Sequence, residues 1–107
     1  MTAAVRDNPA KNRYEIYDGE QLAAFSAYKL TRDTIAFIHT EVDPAFGGCG
    51  LGRQLVVAEL DDARRRGLAV LPFCPYVRKV IAQNAHTYLD LVRHEQRDRF
   101  GLTQITG

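Results

Sequence analysis

The chain has 107 residues, a length that fits one compact domain. Hydrophobic residues make up 46% of it, enough for a buried core. A formal net charge of +1 excludes a global field drawing the protein to nucleic acid or an anionic membrane, and no apolar run approaches the roughly 20 residues that span a bilayer.

Residues 1–12 are polar and lack an apolar signal core, so a flexible tail is expected, and the cytoplasm is the expected compartment. In a reducing compartment Cys49 and Cys74 are expected to be free thiols. Residues 13–17 alternate polar and apolar, with Tyr14 and Ile16 on one face. Asp18-Gly19 is a hairpin signal, and residues 21–30 form the return strand. After the polar turn at 31–33, residues 34–42 form a third strand rich in β-branched and aromatic side chains. Unbroken alternation along it puts His39 and Glu41 on one side together with Ile35 and Phe37. Residues 50–66 predict a helix, because Leu51, Leu55, Val56, Leu60 and Ala63 recur at helical spacing. Asp61 with Arg65, and Asp62 with Arg66, are acid-to-base pairs one turn apart. Gly67 suits the left-handed position past the helix end. Residues 68–73 form a short apolar strand. Pro72 cannot donate a ladder hydrogen bond, so pairing is expected to weaken there. A shorter helix covers about 76–84. Residues 87–92 read as a last strand or an irregular segment, and 93–107 as a charged tail.

Between the third strand and the first helix, Gly47, Gly48, Gly50 and Gly52 crowd into six positions. Bare backbone amides beside a helix N-terminus form an anion site. A nucleotide P-loop is excluded, because Gly52 is followed by Arg53 and Gln54 rather than Lys and a hydroxyl residue. A dinucleotide fingerprint is excluded too, because Leu55 stands where its third glycine belongs. The expected ligand is a phosphorylated cofactor on the amides of Gly48, Cys49, Gly50, Leu51, Gly52 and Arg53. Arg53 is a cation in the first turn, unfavourable for the helix itself and suited to a bound anion.

Gly50-Leu51-Gly52 fills the second half of the acyl-coenzyme A loop of the GNAT-type N-acetyltransferases, with Gly47 standing where that pattern has Gln or Arg. Four segments in order resemble one minimal subfamily of that group. They are His39-Thr40-Glu41-Val42, the glycine loop, Ala63-Arg64-Arg65-Arg66-Gly67 and Cys74-Pro75-Tyr76-Val77. The resemblance implies an α/β fold: a GNAT-like mixed, mostly antiparallel sheet with a βαβ acetyl-CoA-binding core and two main helices. That domain would cover 13–92, between tails at 1–12 and 93–107. It also implies two strands, 34–42 and 68–73, that splay apart around the pantetheine arm, with the Val42 backbone orienting the thioester.

The implied activity is transfer of an acetyl group from acetyl-CoA to an amine. Cys74, at the end of the strand bordering the gap, is the candidate nucleophile or site-lining thiol. Glu41, then His39, are candidate bases for deprotonating the amine. Tyr76 and Tyr88 are candidate acids for the leaving thiolate. Asn84 resembles a position near the coenzyme arm. The alternative is a non-catalytic module that binds coenzyme A or acyl-CoA and acts with a partner protein. On either reading a partner or a second copy of the chain would complete the acceptor site. Nucleic acid and membrane are not expected partners. No metal is expected, since His39, His86 and His94 have no ligand spacing.

Overall fold

The computed structural model describes residues 3–102. Five strands form one sheet in the order β1-β2-β3-β4-β5. They are β1 (Ala3–Asn8), β2 (Arg13–Asp18), β3 (Gln21–Thr31), β4 (Thr34–Val42) and β5 (Ala69–Pro72). The first four pair antiparallel as a meander, and β5 pairs parallel with β4. Between β4 and β5 runs α1 (Leu51–Arg65), and α2 (Pro75–Gln83) and α3 (Ala85–Tyr88) follow β5. The GNAT-like α/β architecture expected from the sequence is therefore present, βαβ unit included.

The apolar stripe of α1 does what its spacing dictates. Leu51, Leu55, Val56, Leu60 and Ala63 are all buried against the sheet, together with Val70, Val77 and Ile81. Each fully buried aliphatic side chain of this kind stabilises the fold by about 1.5–3 kcal/mol. The basic end of α1 then fastens its surroundings. Arg64 donates to both carboxylate oxygens of Asp90 at 2.8 Å, and Arg66 reaches Tyr14, Asp62 and Asp7. Asp62 pairs with Arg66 as its spacing predicts. Asp61 does not take up Arg65: it accepts a hydrogen bond from Tyr88 at 3.0 Å, while Arg65 turns to Asp62.

Both expected tails are corrected over the described residues. Ala3–Asn8 is an edge strand in continuous register with β2, from Ala3 opposite Asp18 to Asn8 opposite Arg13. Its polar residues have specific partners: the Tyr28 hydroxyl donates to Asp7 at 2.6 Å and Asn8 donates to Glu15 at 3.2 Å. Residues 93–102 coil into short turns and bury Phe100 and Leu102. Arg97 donates to the carbonyls of Val92 and Leu89, and the Phe100 ring meets Phe73 edge-on at 5.1 Å. The remainder of the expected tails lies outside the described residues. Residues 87–92 are not a strand: 87 and 88 end α3, and Leu89–Leu91 form a 3-10 turn.

One irregularity decides which way the site residues point. Ala27 and Tyr28 of β3 face His39 and Phe37 of β4, which leaves Ile38 without a partner. This is a β-bulge, and it inserts one residue into the alternation. Phe37 lies beside Tyr14, whose hydroxyl bonds Asp62 of α1, so Phe37 is on the helix-covered face. His39 and Glu41 consequently lie on the opposite face. The expectation that they share a side with Ile35 and Phe37 is wrong for this reason. The parallel pairing of β4 with β5 also stops here, at Phe37 opposite Pro72, followed only by the Cys74 amide donating to the Phe37 carbonyl at 2.9 Å. From Ile38 to Val42, β4 has no strand on its β5 side among the described residues, in keeping with the missing N–H of Pro72.

On the face opposite α1, Glu15 is buried at 2% exposure. Burial pushes its carboxyl up, but hydrogen bonds from Arg13, Asn8 and Tyr17 outweigh it and hold the group below the ordinary carboxylate range. A lowered folded value contributes stability above the unfolded pKa of about 4.3. That contribution is lost as pH falls through the folded value. Glu15→Gln is expected to lower unfolding free energy by about 2 kcal/mol at pH 7. The loss should vanish in acid, as read from urea titrations at both pH values.

Candidate active site

The loop before α1 is built by its glycines. Gly48 and Gly50 have φ of +82° and +75°, a region that other residues rarely adopt. Gly50 is the N-cap of α1 and brings no side chain to cap it. The amides of Leu51, Gly52 and Arg53 therefore lack intrahelical partners. Gln54 is the first residue to find one, donating to the Gly50 carbonyl at 3.1 Å. The Cys49 amide is engaged in the preceding turn with the Phe46 carbonyl at 3.3 Å, and its thiol is exposed. Leu51 buries its side chain, so only its backbone is available to a ligand. Gly52 is a close-approach glycine: a Cβ there would come within 3.0 Å of Val42 Cγ2 and 3.3 Å of the Tyr76 hydroxyl. The start of α1 is thereby held against the end of β4 and the start of α2.

Beside these amides, Arg53, Tyr76, Lys79, Val80 and Gln83 line a small cleft of about 160 Å³. Two cations next to an uncapped helix N-terminus, with no acidic residue in the first turn, fit a diphosphate. Lys79 is a residue that sequence reasoning missed, and nothing at its position signals it. Asn84 is not part of this arrangement by its side chain, which donates to the Val80 carbonyl at 3.0 Å and closes the end of α2. Tyr88 is buried and held by Asp61, whereas Tyr76 is exposed and stands against the loop.

Cys74 is 3% exposed and lies where β5 ends. Its thiol donates to the Thr40 hydroxyl at 3.4 Å, across the point at which β4 and β5 part. Thr40 donates to Ser26 at 3.4 Å, and Ser26 donates to the Glu59 carboxylate at 3.1 Å. Glu59 and Ser26 are completely buried, and the second carboxylate oxygen of Glu59 has no hydrogen-bond partner. Burial pushes the Glu59 carboxyl well above its ordinary pKa, the nearby Cys74 adds to this, and the Ser26 hydrogen bond opposes it. Thr40, Ser26 and Glu59 were missed from the sequence. Only Glu59 carried a signal, as an acid one turn from Leu55, Val56 and Ala63 on the buried stripe of α1.

His39 and Glu41 do not join Cys74. They lie on the other face of β4, well exposed, with His39 Nε2 3.5 Å from Glu41 Oε1. The Phe25 ring meets His39 edge-on at 6.3 Å, and the Arg13 guanidinium covers Phe25 at 4.6 Å. Glu41 and Val42 border a cleft of about 380 Å³ that also includes Leu22, Phe25 and Pro44. Glu41 at the rim of this cleft, with His39 beside it, can receive a proton from an incoming ammonium group. No cluster of three or more potential metal ligands occurs among the described residues.

The sequence profile of the GCN5-related N-acetyl-transferases matches residues 13–91. The chain belongs to the GCN5-related N-acetyltransferase family. Among the solved structures that resemble it are the following two. One is a GCN5-like protein from Staphylococcus aureus, 25% identical, with a TM-score of 0.61 over 84% of this chain and 87% of that one. The other is the ribosomal-protein-S18-alanine N-acetyltransferase from Escherichia coli, 27% identical, with a TM-score of 0.52 over 54% of this chain. The chain spans 38% of the length of the Escherichia coli enzyme. A search of curated proteins found no match.

Gly50→Ala would force a Cβ into the left-handed region at the entry to α1. It is expected to cost about 1–2 kcal/mol, read as a lower urea midpoint at an unchanged m-value. An unmoved midpoint would mean that the loop relaxes without strain.

Proposed function

We propose that the protein is an acetyl-CoA-dependent N-acetyltransferase. In this reading the Leu51, Gly52 and Arg53 amides hold the coenzyme diphosphate, flanked by the Arg53 and Lys79 side chains. The observation that carries the proposal is the juxtaposition of an uncapped, glycine-entered helix N-terminus with two strands that stop pairing at Phe37 and Pro72. Bound acetyl-CoA supplies an activated thioester. The Val42 backbone, on the part of β4 that β5 leaves unpaired, orients its carbonyl. Cys74 stands at the closed end of the gap, at the reaction centre.

Amines are mostly protonated at neutral pH, so the acceptor must lose a proton before it attacks. Glu41, with His39 beside it, takes that proton on the face of the sheet opposite α1. Catalysis comes chiefly from positioning and from charge stabilisation in the gap. The acceptor class to test first is a protein amine: the name of the Escherichia coli enzyme specifies an alanine of a ribosomal protein.

A second reading is favoured by one observation. No α-helix precedes β4 among the described residues, so nothing there builds a wall for a small acceptor. A coenzyme-binding module whose partner protein, or second copy, supplies that wall would look the same.

Acetyl-CoA at a hundredfold over its dissociation constant adds about 2.7 kcal/mol to the native state. The expected result is a rise in Tm of roughly ten degrees or more. No rise at millimolar acetyl-CoA would contradict both readings. Incubation with acetyl-CoA and a panel of peptides and proteins then separates them. Acetylated N-termini or lysines support the enzyme, and binding without transfer supports the module.

A further inference from the structure

The chain Cys74–Thr40–Ser26–Glu59 has a direction. Each hydroxyl has one proton to give, and each is used once: the thiol donates to Thr40, Thr40 to Ser26, and Ser26 to Glu59. The four residues come from four places in the fold, the N-cap of α2, β4, β3 and α1. Ser26 and Thr40 are directly opposed across the strand pair, which aligns their hydroxyls over the helix-covered face. The chain ends on a carboxyl group inside the stripe that α1 buries, with no cation beside it among the described residues.

A buried carboxyl with one oxygen unpartnered destabilises a fold, and an apolar side chain in its place would not. We propose that Glu59 takes up and returns the proton of the Cys74 thiol through the hydroxyls of Thr40 and Ser26. This deepens the reading of Cys74 as the reaction centre and rests on that reading for its catalytic consequence. In the forward direction the sulfur–hydrogen bond breaks and its electron pair stays on sulfur. Thr40 receives that proton and passes its own to Ser26, which passes its own to Glu59. Thiol and carboxylate become thiolate and carboxylic acid, with no proton drawn from solvent. The reverse passage restores the thiol.

The surroundings suit a single exchangeable proton. Burial raises the proton affinity of the Glu59 carboxyl. Other titratable groups turned toward α1 are engaged elsewhere. Asp7 of β1, Tyr14 of β2 and Tyr28 of β3 gather with Asp62 and Arg66, and Tyr88 bonds Asp61. On β4, His39 and Glu41 face away from α1. From α2, Tyr76 and Lys79 stand at the glycine loop, beside Arg53 of α1 itself. Cys74 alone among these groups raises the Glu59 carboxyl. Glu59 is accordingly a positioning residue: it acts on the reacting atoms only through Cys74.

The test reads the thiol directly, without acetyl-CoA. The rate at which iodoacetamide alkylates the Cys74 peptide is followed by mass spectrometry across pH. Glu59→Gln keeps the shape and cannot take a proton. Ser26→Ala and Thr40→Val cut the chain at other points, and Thr40→Ser restores the hydroxyl. Glu59→Gln removes the carboxylate charge that opposes a thiolate and is expected to move the Cys74 profile downward by about one pH unit. Ser26→Ala and Thr40→Val are expected to move it away from the parent's, and Thr40→Ser to keep it in place. A merely structural role would lower Tm and leave the profile unmoved. An unmoved profile in folded Glu59→Gln, Ser26→Ala and Thr40→Val overturns the proposal. With acetyl-CoA and an acceptor, Glu59→Gln is expected to lower kcat on the order of a hundredfold with KM for acetyl-CoA retained. A parent protein that transfers no acetyl group would instead overturn the acetyltransferase reading and leave the thiol profile to decide the relay.

Discussion

The bulge at Ile38 is the constraint on which the site depends. One extra residue in β4, opposite the Ala27–Tyr28 step of β3, changes which face every later side chain occupies. Before it, Phe37 belongs to the core under α1. After it, Thr40 turns toward α1 while His39 and Glu41 turn away. The same step ends the pairing with β5, where Pro72 has no N–H to offer. A core strand and a site strand are thus made from one continuous segment. The two candidate chemistries, thiol and base, are separated onto the two faces of a single sheet.

α1 works on both ends of this arrangement. Its N-terminus carries the uncapped amides, and its middle delivers Glu59 to Ser26. At its C-terminal end Arg66 pairs with Asp7 of β1, and Arg64 pairs with Asp90. Exposed pairs of this kind contribute little each. Gly52 meets Val42 and Glu59 meets Ser26 in the same docking of the helix on the sheet. The buried acid weakens that packing, and the apolar stripe on either side of it supplies the surplus.

Much of this was legible in the residues. Thr34–Val42 and the helix after the glycines stand out because their periodicities are clean, and Pro72 announces the parting of the strands. The edge strand Ala3–Asn8 was not legible, because its inward positions include Asp7, whose partners Tyr28 and Arg66 are distant in sequence. The segment 93–102 hid for a related reason. Arg97 and Arg93 read as solvated charges, yet Arg97 closes backbone carbonyls and Arg93 reaches Asp33. The bulge left no trace at all, since Ile35, Ala36, Phe37 and Ile38 form an apolar run without a polar residue to mark the change of face. The glycine loop and Cys74 were found as site candidates because their chemistry is carried by residue type. Thr40 and Ser26 were not, because ordinary strand hydroxyls gain meaning only from what lies next to them.

Backbone amide chemical shifts during a titration with acetyl-CoA test the central claim most directly. The account predicts that the largest changes fall on Leu51, Gly52 and Arg53, with further changes at Val42, Cys74 and Lys79. Changes confined to the β1 edge around Asp7 and Arg66, with the glycine-loop amides unmoved, would contradict it.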